Sequence, residues 1–184
     1  MFNLSTQEVG LSIENSPLTK LNGIVYQEYH NFLGNSVLKE LKNLENLNLV
    51  KLEKQFDVPR RRVDYNNDLI KKLKIFFMNS KITNALAKKF NTELQFDSVD
   101  IWIDKPGYYL KPHTDDSRIK LAIQIYLGED ENVGTALFDK DNNVLKTFEY
   151  KLNSGYALLN TKNSFHGVDK IEKDGRISLY VRYC

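Results

Sequence analysis

The hydrophobic pattern of the chain changes its period at about residue 94, and this change limits the folds that the chain can adopt. Before that point, apolar residues recur at helical spacing over residues 37–47 and 68–90. After it, short apolar runs of period two are separated by turn residues such as Pro106-Gly107 and Asn153-Ser154-Gly155. Helices followed by many short strands predict an α+β domain built as a sandwich or barrel.

The same patterns predict individual elements. Ser36 is the expected N-cap of the first helix, and Asn79-Ser80 is expected to interrupt the second helical stretch. The first 20 residues are weakly patterned and are expected to lie over the surface. The predicted strands cover residues 23–29, 96–103, 121–127, 135–138, 144–150, 156–160 and 177–183. We therefore expect one domain over residues 1–184, helical to about residue 92 and β-rich over about 93–184.

Two strands indicate which of their faces points inward. In residues 121–127 and 177–183, every second residue is apolar, and most of the residues between them are polar. The polar sides carry Gln124, Tyr126, Arg176, Ser178, Tyr180 and Arg182. If helices cover the apolar sides, these polar side chains surround an internal cavity, which is typical of a ligand site.

Composition excludes several classes of protein. A net charge of +2 over 184 residues is too small to indicate a nucleic-acid partner. The sequence has no secretory signal pattern and no apolar run of the roughly 20 residues that a membrane helix needs. Its one cysteine, Cys184, cannot form an internal disulfide, which suits a reducing compartment. We expect a cytoplasmic protein that does not bind a membrane; its oligomeric state stays open.

Histidine and aspartate supply the first candidate site. The chain has three histidines, and one of them forms the motif His113-Thr114-Asp115. His166 follows much later, just before a glycine and shortly before the final strand. Two imidazoles and one carboxylate on one side of a metal ion form the site of non-haem Fe(II) oxygenases. Singly these signals are weak, since a lone histidine is more often structural, and His30 is interpreted in that way.

Arg176 begins the final strand and supplies the second candidate site. A guanidinium binds a carboxylate through two parallel hydrogen bonds, and Ser178, two residues later on the same strand face, adds a hydroxyl donor. Taken by itself, Arg176 is better interpreted as a surface residue at the end of a hairpin. Its position after His166 favours a role in an inward-facing site.

Taken together, His113-x-Asp115, His166 and Arg176-x-Ser178 resemble the Fe(II)/2-oxoglutarate-dependent dioxygenases, in their prolyl-4-hydroxylase-like branch. The resemblance covers most of the chain. It implies a double-stranded β-helix, or jelly roll, with N-terminal helices packed against one sheet. It also implies catalytic iron held by His113, Asp115 and His166, and 2-oxoglutarate held by Arg176, with Ser178 and Tyr126 assisting.

The implied activity is an oxygenase, most simply a hydroxylase, that oxidises a small molecule or a protein side chain. It converts 2-oxoglutarate and O2 to succinate and CO2, and the family also admits ascorbate. Two alternatives stay open: a cupin-like metal protein that does not use 2-oxoglutarate, and a non-catalytic jelly-roll module. Trp102 and Lys105 are candidates for the pocket wall, although a core position is more typical of tryptophan. The run Arg60-Arg61-Arg62 is either solvated or in contact with an anionic substrate.

Overall fold

The computed structural model describes residues 6–41, 49–51, 59–129 and 131–184. Within this part of the chain, the helices are α1 (Thr6–Asn15), α2 (Asn35–Leu41), α3 (Asp68–Phe77) and α4 (Ser80–Phe90). The strands of the N-terminal half are β1 (Leu18–Leu21), β2 (Ile24–Tyr29), β3 (Leu49–Lys51) and β4 (Arg60–Val63). The remaining strands are β5 (Phe96–Asp104), β6 (Leu110–His113), β7 (Leu121–Tyr126), β8 (Thr135–Phe138), β9 (Val144–Thr147), β10 (Gly155–Leu159), β11 (His166–Val168) and β12 (Arg176–Tyr183).

The strands form two antiparallel sheets that face each other. The large sheet has the order β1-β2-β10-β7-β12-β5-β4-β3, and the small sheet has the order β6-β11-β8-β9. A cluster of buried, mostly aromatic side chains from β2, β7, β8 and β10 fills one end of the space between them. Phe148 stacks on Tyr156 in this cluster, with ring centroids 4.1 Å apart. The other end of this space is polar and holds the candidate site.

The helices cover the outer face of the large sheet. Leu121, Ile123 and Ile125 of β7 and Leu179 and Val181 of β12 share one buried cluster with the apolar faces of all four helices. The prediction that the apolar sides of these two strands face the helices is therefore confirmed. None of the described helices is long and apolar enough to cross a membrane.

Local signals explain where the helices begin and end. The Asn67 and Asn79 side chains accept hydrogen bonds from the backbone at the starts of α3 and α4, and Asn91 ends α4 in the left-handed conformation. The predicted interruption at Asn79-Ser80 is confirmed. The assignment of Ser36 as an N-cap is wrong, because α2 already begins at Asn35. The rest of that predicted helix, residues 42–48, lies outside the described residues.

The N-terminal part of the chain is more regular than its sequence pattern suggests. Residues expected to lie loosely over the surface form α1, which buries Val9 and Ile13 and packs against α4. Four strands, β1 to β4, lie between the helices of this part. All four extend the large sheet: β2 pairs with β10 and with β1, and β4 pairs with β5 and with β3. This pairing brings N-terminal residues to the site.

Candidate metal and co-substrate site

Two paired strands of the small sheet bring the histidines together. β6 ends at His113, β11 begins at His166, and these two residues are direct partners in the antiparallel register. Their rings lie 4.5 Å apart between centroids. Asp115 follows β6, and His166 Nε2 lies 3.8 Å from its Oδ1. One ligand atom from each of the three residues lies within 4.8 Å of the others.

Hydrogen bonds from the opposite side of each ring orient this triad. His113 Nδ1 lies 2.9 Å from the Lys111 carbonyl oxygen, and His166 Nδ1 lies 3.0 Å from that of Ser164. Because a carbonyl oxygen only accepts, each Nδ1 carries the proton and each Nε2 presents its lone pair. Backbone carbonyls are common partners of metal-binding histidines. Both rings are thus set in the tautomer that a metal ion needs.

The electrostatics of the triad also suit a cation. His166 is 6% exposed, and burial lowers the pKa of its imidazole, although the Asp115 carboxylate opposes that shift. His166 therefore stays neutral near pH 7. The Tyr180 hydroxyl donates to both Asp115 oxygens, at 3.1 and 3.0 Å. Burial, and next the Asp115 carboxylate, raise the pKa of Tyr180 well above its usual value, so it keeps the proton that it donates.

A cavity of about 200 Å³ opens beside the triad. The other side chains in its wall come from both sheets and are mostly polar. They include Arg60, Trp102, Gln124, Thr135, Tyr180 and Arg182. The prediction that the polar sides of β7 and β12 line a cavity is confirmed for Gln124, Tyr180 and Arg182. Tyr126, Arg176 and Ser178 are fully buried and do not line it.

Arg176 lies fully buried at the start of β12. Its Nε donates to the Val133 carbonyl oxygen at 2.7 Å, its Nη2 donates to Thr135 Oγ1 at 3.3 Å, and its Nη1 donates to the Asp104 carboxylate. Burial is the largest single effect and would lower the pKa of Arg176, but the Asp104 carboxylate together with Tyr126 and Tyr108 raises that pKa overall. The guanidinium is therefore charged and firmly oriented.

Tyr126 of β7 and Ser178 of β12 are direct partners in the antiparallel register. Ser178 lies two residues after Arg176, on the same side of β12. Both are fully buried. The Tyr126 hydroxyl accepts from the Thr135 backbone N–H at 2.8 Å, and the Tyr126 ring centroid lies 5.7 Å from Arg176 Cζ. Among the described residues, Ser178 Oγ has no hydrogen-bond partner. The structure thus brings the three predicted co-substrate residues together and leaves one hydroxyl unpaired.

Sequence reasoning missed or misplaced several residues of the site. Arg60 faces the cavity and stacks between the rings of Trp102 and Tyr108, at 4.7 and 4.2 Å from their centroids. Trp102 lines the cavity, so a core position for it is wrong. Lys105 instead forms an exposed ion pair with Asp174, at 3.0 Å.

Two further residues of the site had a signal in the sequence. Gln124 and Tyr180 both belong to the inward polar sides that the strand pattern identified. Gln124 Oε1 accepts from Thr135 Oγ1 at 3.0 Å and from the Tyr156 hydroxyl at 2.8 Å. His30, interpreted as structural, is exposed and lies outside the site. Asp104 had no signal, because nothing in the sequence pairs it with Arg176.

Solved structures similar to this chain include a 2OG-Fe(II) oxygenase and prolyl hydroxylases. An oxidoreductase of the 2OG-Fe(II) oxygenase family from Burkholderia pseudomallei superposes with a TM-score of 0.66 at 11% identity, covering 97% of this chain and 89% of that one. A Trichoplax adhaerens prolyl hydroxylase in complex with a hypoxia inducible factor peptide gives 0.64 at 14% identity, covering 97% and 88%. HygX from Streptomyces hygroscopicus, with nickel, 2-oxoglutarate and hygromycin B bound, gives 0.60 at 12%, covering 86% and 82%.

The chain has the fold of these oxygenases. The expected double-stranded β-helix with helices against one sheet is confirmed by this likeness and by the two facing sheets. No protein-family model and no curated protein matches the sequence. At these identities the likeness establishes the fold, so the argument for function depends on the side chains of the site.

Proposed function

We propose that this protein is an Fe(II)- and 2-oxoglutarate-dependent oxygenase, and specifically a hydroxylase. The observation that supports it best is the convergence of His113, Asp115 and His166 at a cavity whose wall residue Thr135 accepts a hydrogen bond from the buried guanidinium of Arg176. The similar structures support it as well, since one of them holds nickel and 2-oxoglutarate.

The three triad residues fit Fe(II). Each imidazole uses its Nδ1 on a backbone carbonyl, which leaves its Nε2 for a metal ion, and the carboxylate is held in place by the Tyr180 hydroxyl. Two histidines and one carboxylate leave part of the coordination sphere open, as oxygen chemistry requires. We assign His113, Asp115 and His166 as the iron ligands.

The surroundings of Arg176 fit the distal carboxylate of 2-oxoglutarate. A guanidinium has five N–H donors, and Arg176 uses three of them on Val133, Thr135 and Asp104. The unpaired Ser178 hydroxyl next to it supplies another donor. Asp104 is shared with Arg60, so two guanidiniums and one carboxylate leave a net positive charge for an anion. We assign Arg176, Ser178 and Tyr126 to the co-substrate.

When bound, iron and 2-oxoglutarate together supply the oxidising power that O2 alone lacks, with succinate and CO2 as products. The residues of this chain bind and orient. His113, Asp115 and His166 fix the metal position, and Arg176 fixes the direction in which the co-substrate lies. Tyr180 holds Asp115 in its ligating orientation. Gln124 and Thr135 add polar groups to the wall of the cavity that the triad also lines.

The proposal includes three further points. The substrate is a small molecule or a protein side chain, in keeping with the peptide and the hygromycin B bound to the similar structures. The catalytic domain comprises residues 1–184, since strands from both halves share the large sheet. The location is cytoplasmic, which suits a chain with one cysteine.

Metal binding and succinate formation test the proposed function. Protein incubated with Fe(II) without oxygen should bind about one ion per chain, and His113→Ala or His166→Ala should remove most of it. His30→Ala is the matched control, because His30 is exposed and outside the triad. With O2 admitted, the wild type should convert 2-oxoglutarate to succinate, measured by NMR. Iron binding without any succinate, with and without ascorbate, would favour the cupin-like alternative.

A further inference from the structure

The inner face of the large sheet carries two clusters of the same composition. In each, an aspartate of β5 lies between an arginine of β4 and an arginine of β12. The inner cluster is Arg60, Asp104 and Arg176; the outer cluster is Arg62, Asp100 and Arg182. In the outer cluster, Arg182 Nη2 donates to Asp100 Oδ2 at 2.9 Å, and Arg62 Nη1 lies 3.9 Å from Asp100 Oδ1.

The two clusters lie on opposite sides of the metal triad. Arg176 and Arg182 are at the two ends of the inward side of β12, about 20 Å apart along an extended strand. Tyr180, which bonds Asp115, lies between them and next to Arg182. Arg182 lines the same cavity as the triad. A molecule that contacts the metal position from the side opposite Arg176 therefore meets the outer cluster.

The outer cluster has N–H donors to spare. Two guanidiniums share the Asp100 carboxylate, and Asp97 at the rim of the cluster partly offsets the second positive charge, since its Oδ2 lies 3.9 Å from Arg182 Nε. Among the described residues, Arg62 Nε, Arg182 Nε and Asp100 Oδ1 are buried without a hydrogen-bond partner. Buried N–H groups without partners are costly, so a ligand that accepts from them gains affinity.

We propose that the outer cluster binds a carboxylate group of the substrate to be oxidised. The inference rests on the proposed function, in which the inner cluster serves 2-oxoglutarate. A guanidinium fork matches a carboxylate in shape. Asp100 and Asp97 already offset much of the positive charge, so a monoanion suits the cluster better than a phosphate monoester, which carries about −1.5 to −2. The substrate class is accordingly a carboxylate-bearing molecule whose reacting carbon lies between Arg182 and the metal.

Trp102 gives a direct signal for the test. It is the only tryptophan of the chain, it lines the cavity, and Arg62 Cζ lies 6.0 Å from its ring centroid. Zn(II)-loaded protein saturated with 2-oxoglutarate is titrated with benzoate, and separately with benzamide, while Trp102 emission is recorded. The two probes have the same shape and differ in charge. We expect benzoate to bind and benzamide to bind about tenfold more weakly or not at all.

Variants then assign the signal to the outer cluster. Arg62→Gln and Arg182→Gln should each weaken benzoate binding about tenfold. Arg61→Gln is the matched control, because Arg61 lies between Arg60 and Arg62 on the same strand but is exposed. Asp100→Asn should act in the opposite direction and tighten benzoate binding, since it frees both guanidiniums. If this variant fails to fold, Arg182→Gln decides the question.

Several results would overturn the inference. These are no response to benzoate, equal binding of benzamide, an undiminished response in Arg182→Gln, weaker binding in folded Asp100→Asn, or tighter binding of inorganic phosphate than of benzoate. The affinity for 2-oxoglutarate is measured first in the same samples. If 2-oxoglutarate binds and benzoate does not, only the substrate inference fails; if 2-oxoglutarate does not bind, the proposed function fails.

Discussion

The inner and outer clusters contain the same residue types, but solvent reaches them to different extents. In the inner cluster, the side chains of Arg176 and Asp104 are 0% exposed and that of Arg60 is 18% exposed. In the outer cluster, Arg62 and Arg182 are 21% and 32% exposed around an Asp100 that is 1% exposed. Arg60 and Arg62 are alike, so the difference lies in the β12 arginines: Arg176 has lost contact with water, whereas Arg182 keeps part of it.

Because of this difference, the same arrangement of one aspartate and two arginines can bind two kinds of anion. Charges interact more strongly where water is excluded, and they also cost more to leave unpaired there. The inner cluster is therefore suited to hold one constant anion, the co-substrate, in a fixed position. The outer cluster is open enough to exchange an anion with solvent.

The largest effect is expected from Asp104→Asn. The substitution leaves Arg60 and Arg176 without their shared counter-charge, and removing one partner of a buried ion pair costs roughly 3–5 kcal/mol. Urea denaturation should show a loss of that size in the free energy of unfolding. A loss below that of Asp100→Asn would contradict the contrast between the clusters.

The next effect concerns co-substrate affinity in Arg176→Ala. Losing one member of a desolvated charge pair costs roughly 2–5 kcal/mol, so the Kd for 2-oxoglutarate should rise about 30-fold or more. Metal content should not change, because Arg176 is not one of the three candidate metal ligands. Isothermal titration calorimetry with Arg61→Ala as control measures this. Equal Kd values in both variants would remove Arg176 from the co-substrate site.

A smaller loss of stability is expected from Asp100→Asn. Its two arginine partners keep contact with water, so each retains part of its hydration when the carboxylate charge is removed. The free energy of unfolding should fall by roughly 1–3 kcal/mol, less than for Asp104→Asn. Urea denaturation of the two variants side by side gives the comparison, and equal losses would show that burial does not separate the clusters.

The smallest effect is the pH response of the metal triad, which lies between the clusters. Burial lowers the pKa of His166 below 6.5 in the folded protein, while the unfolded chain keeps the usual value. As pH falls through 6.5, the unfolded chain binds this proton first, so folding of the metal-free protein should become less stable. The contribution is at most about 1.4 kcal/mol per pH unit. It should disappear in His166→Gln and persist in His30→Gln; an identical slope in both variants would refute it.

Much of the fold could be predicted because the local patterns were strong. The alternation in β7 and β12 identified their inward sides, and Asn79-Ser80 identified the break between α3 and α4. Helix α1 was not predicted, because Val9 and Ile13 are its only buried residues and two are too few for a clear helical period. The strand predicted over residues 144–150 ends earlier in the structure, at Thr147. Phe148 and Tyr150 are buried but lie outside β9.

The site could be predicted only where its residues form a short motif. His113-x-Asp115 and Arg176-x-Ser178 are local in sequence, so their spacing carries information. Arg60 and Asp104 meet through the pairing of β4 with β5, which no local pattern reports. Arg60-Arg61-Arg62 looks like a uniform basic run, yet β4 turns its first and third residues inward and exposes the second. A strand of four residues is too short to reveal that alternation in advance.

The central claim is that one metal ion and one 2-oxoglutarate occupy the space between the histidine–aspartate triad and Arg176. Anaerobic titration of 2-oxoglutarate into Fe(II)-loaded protein tests it most directly. In wild type we expect a weak visible charge-transfer band that saturates at one 2-oxoglutarate per chain. The band should be unchanged in His30→Ala and lost in His166→Ala. Iron-loaded wild type that develops no such band, or His166→Ala that develops an undiminished one, would contradict the account.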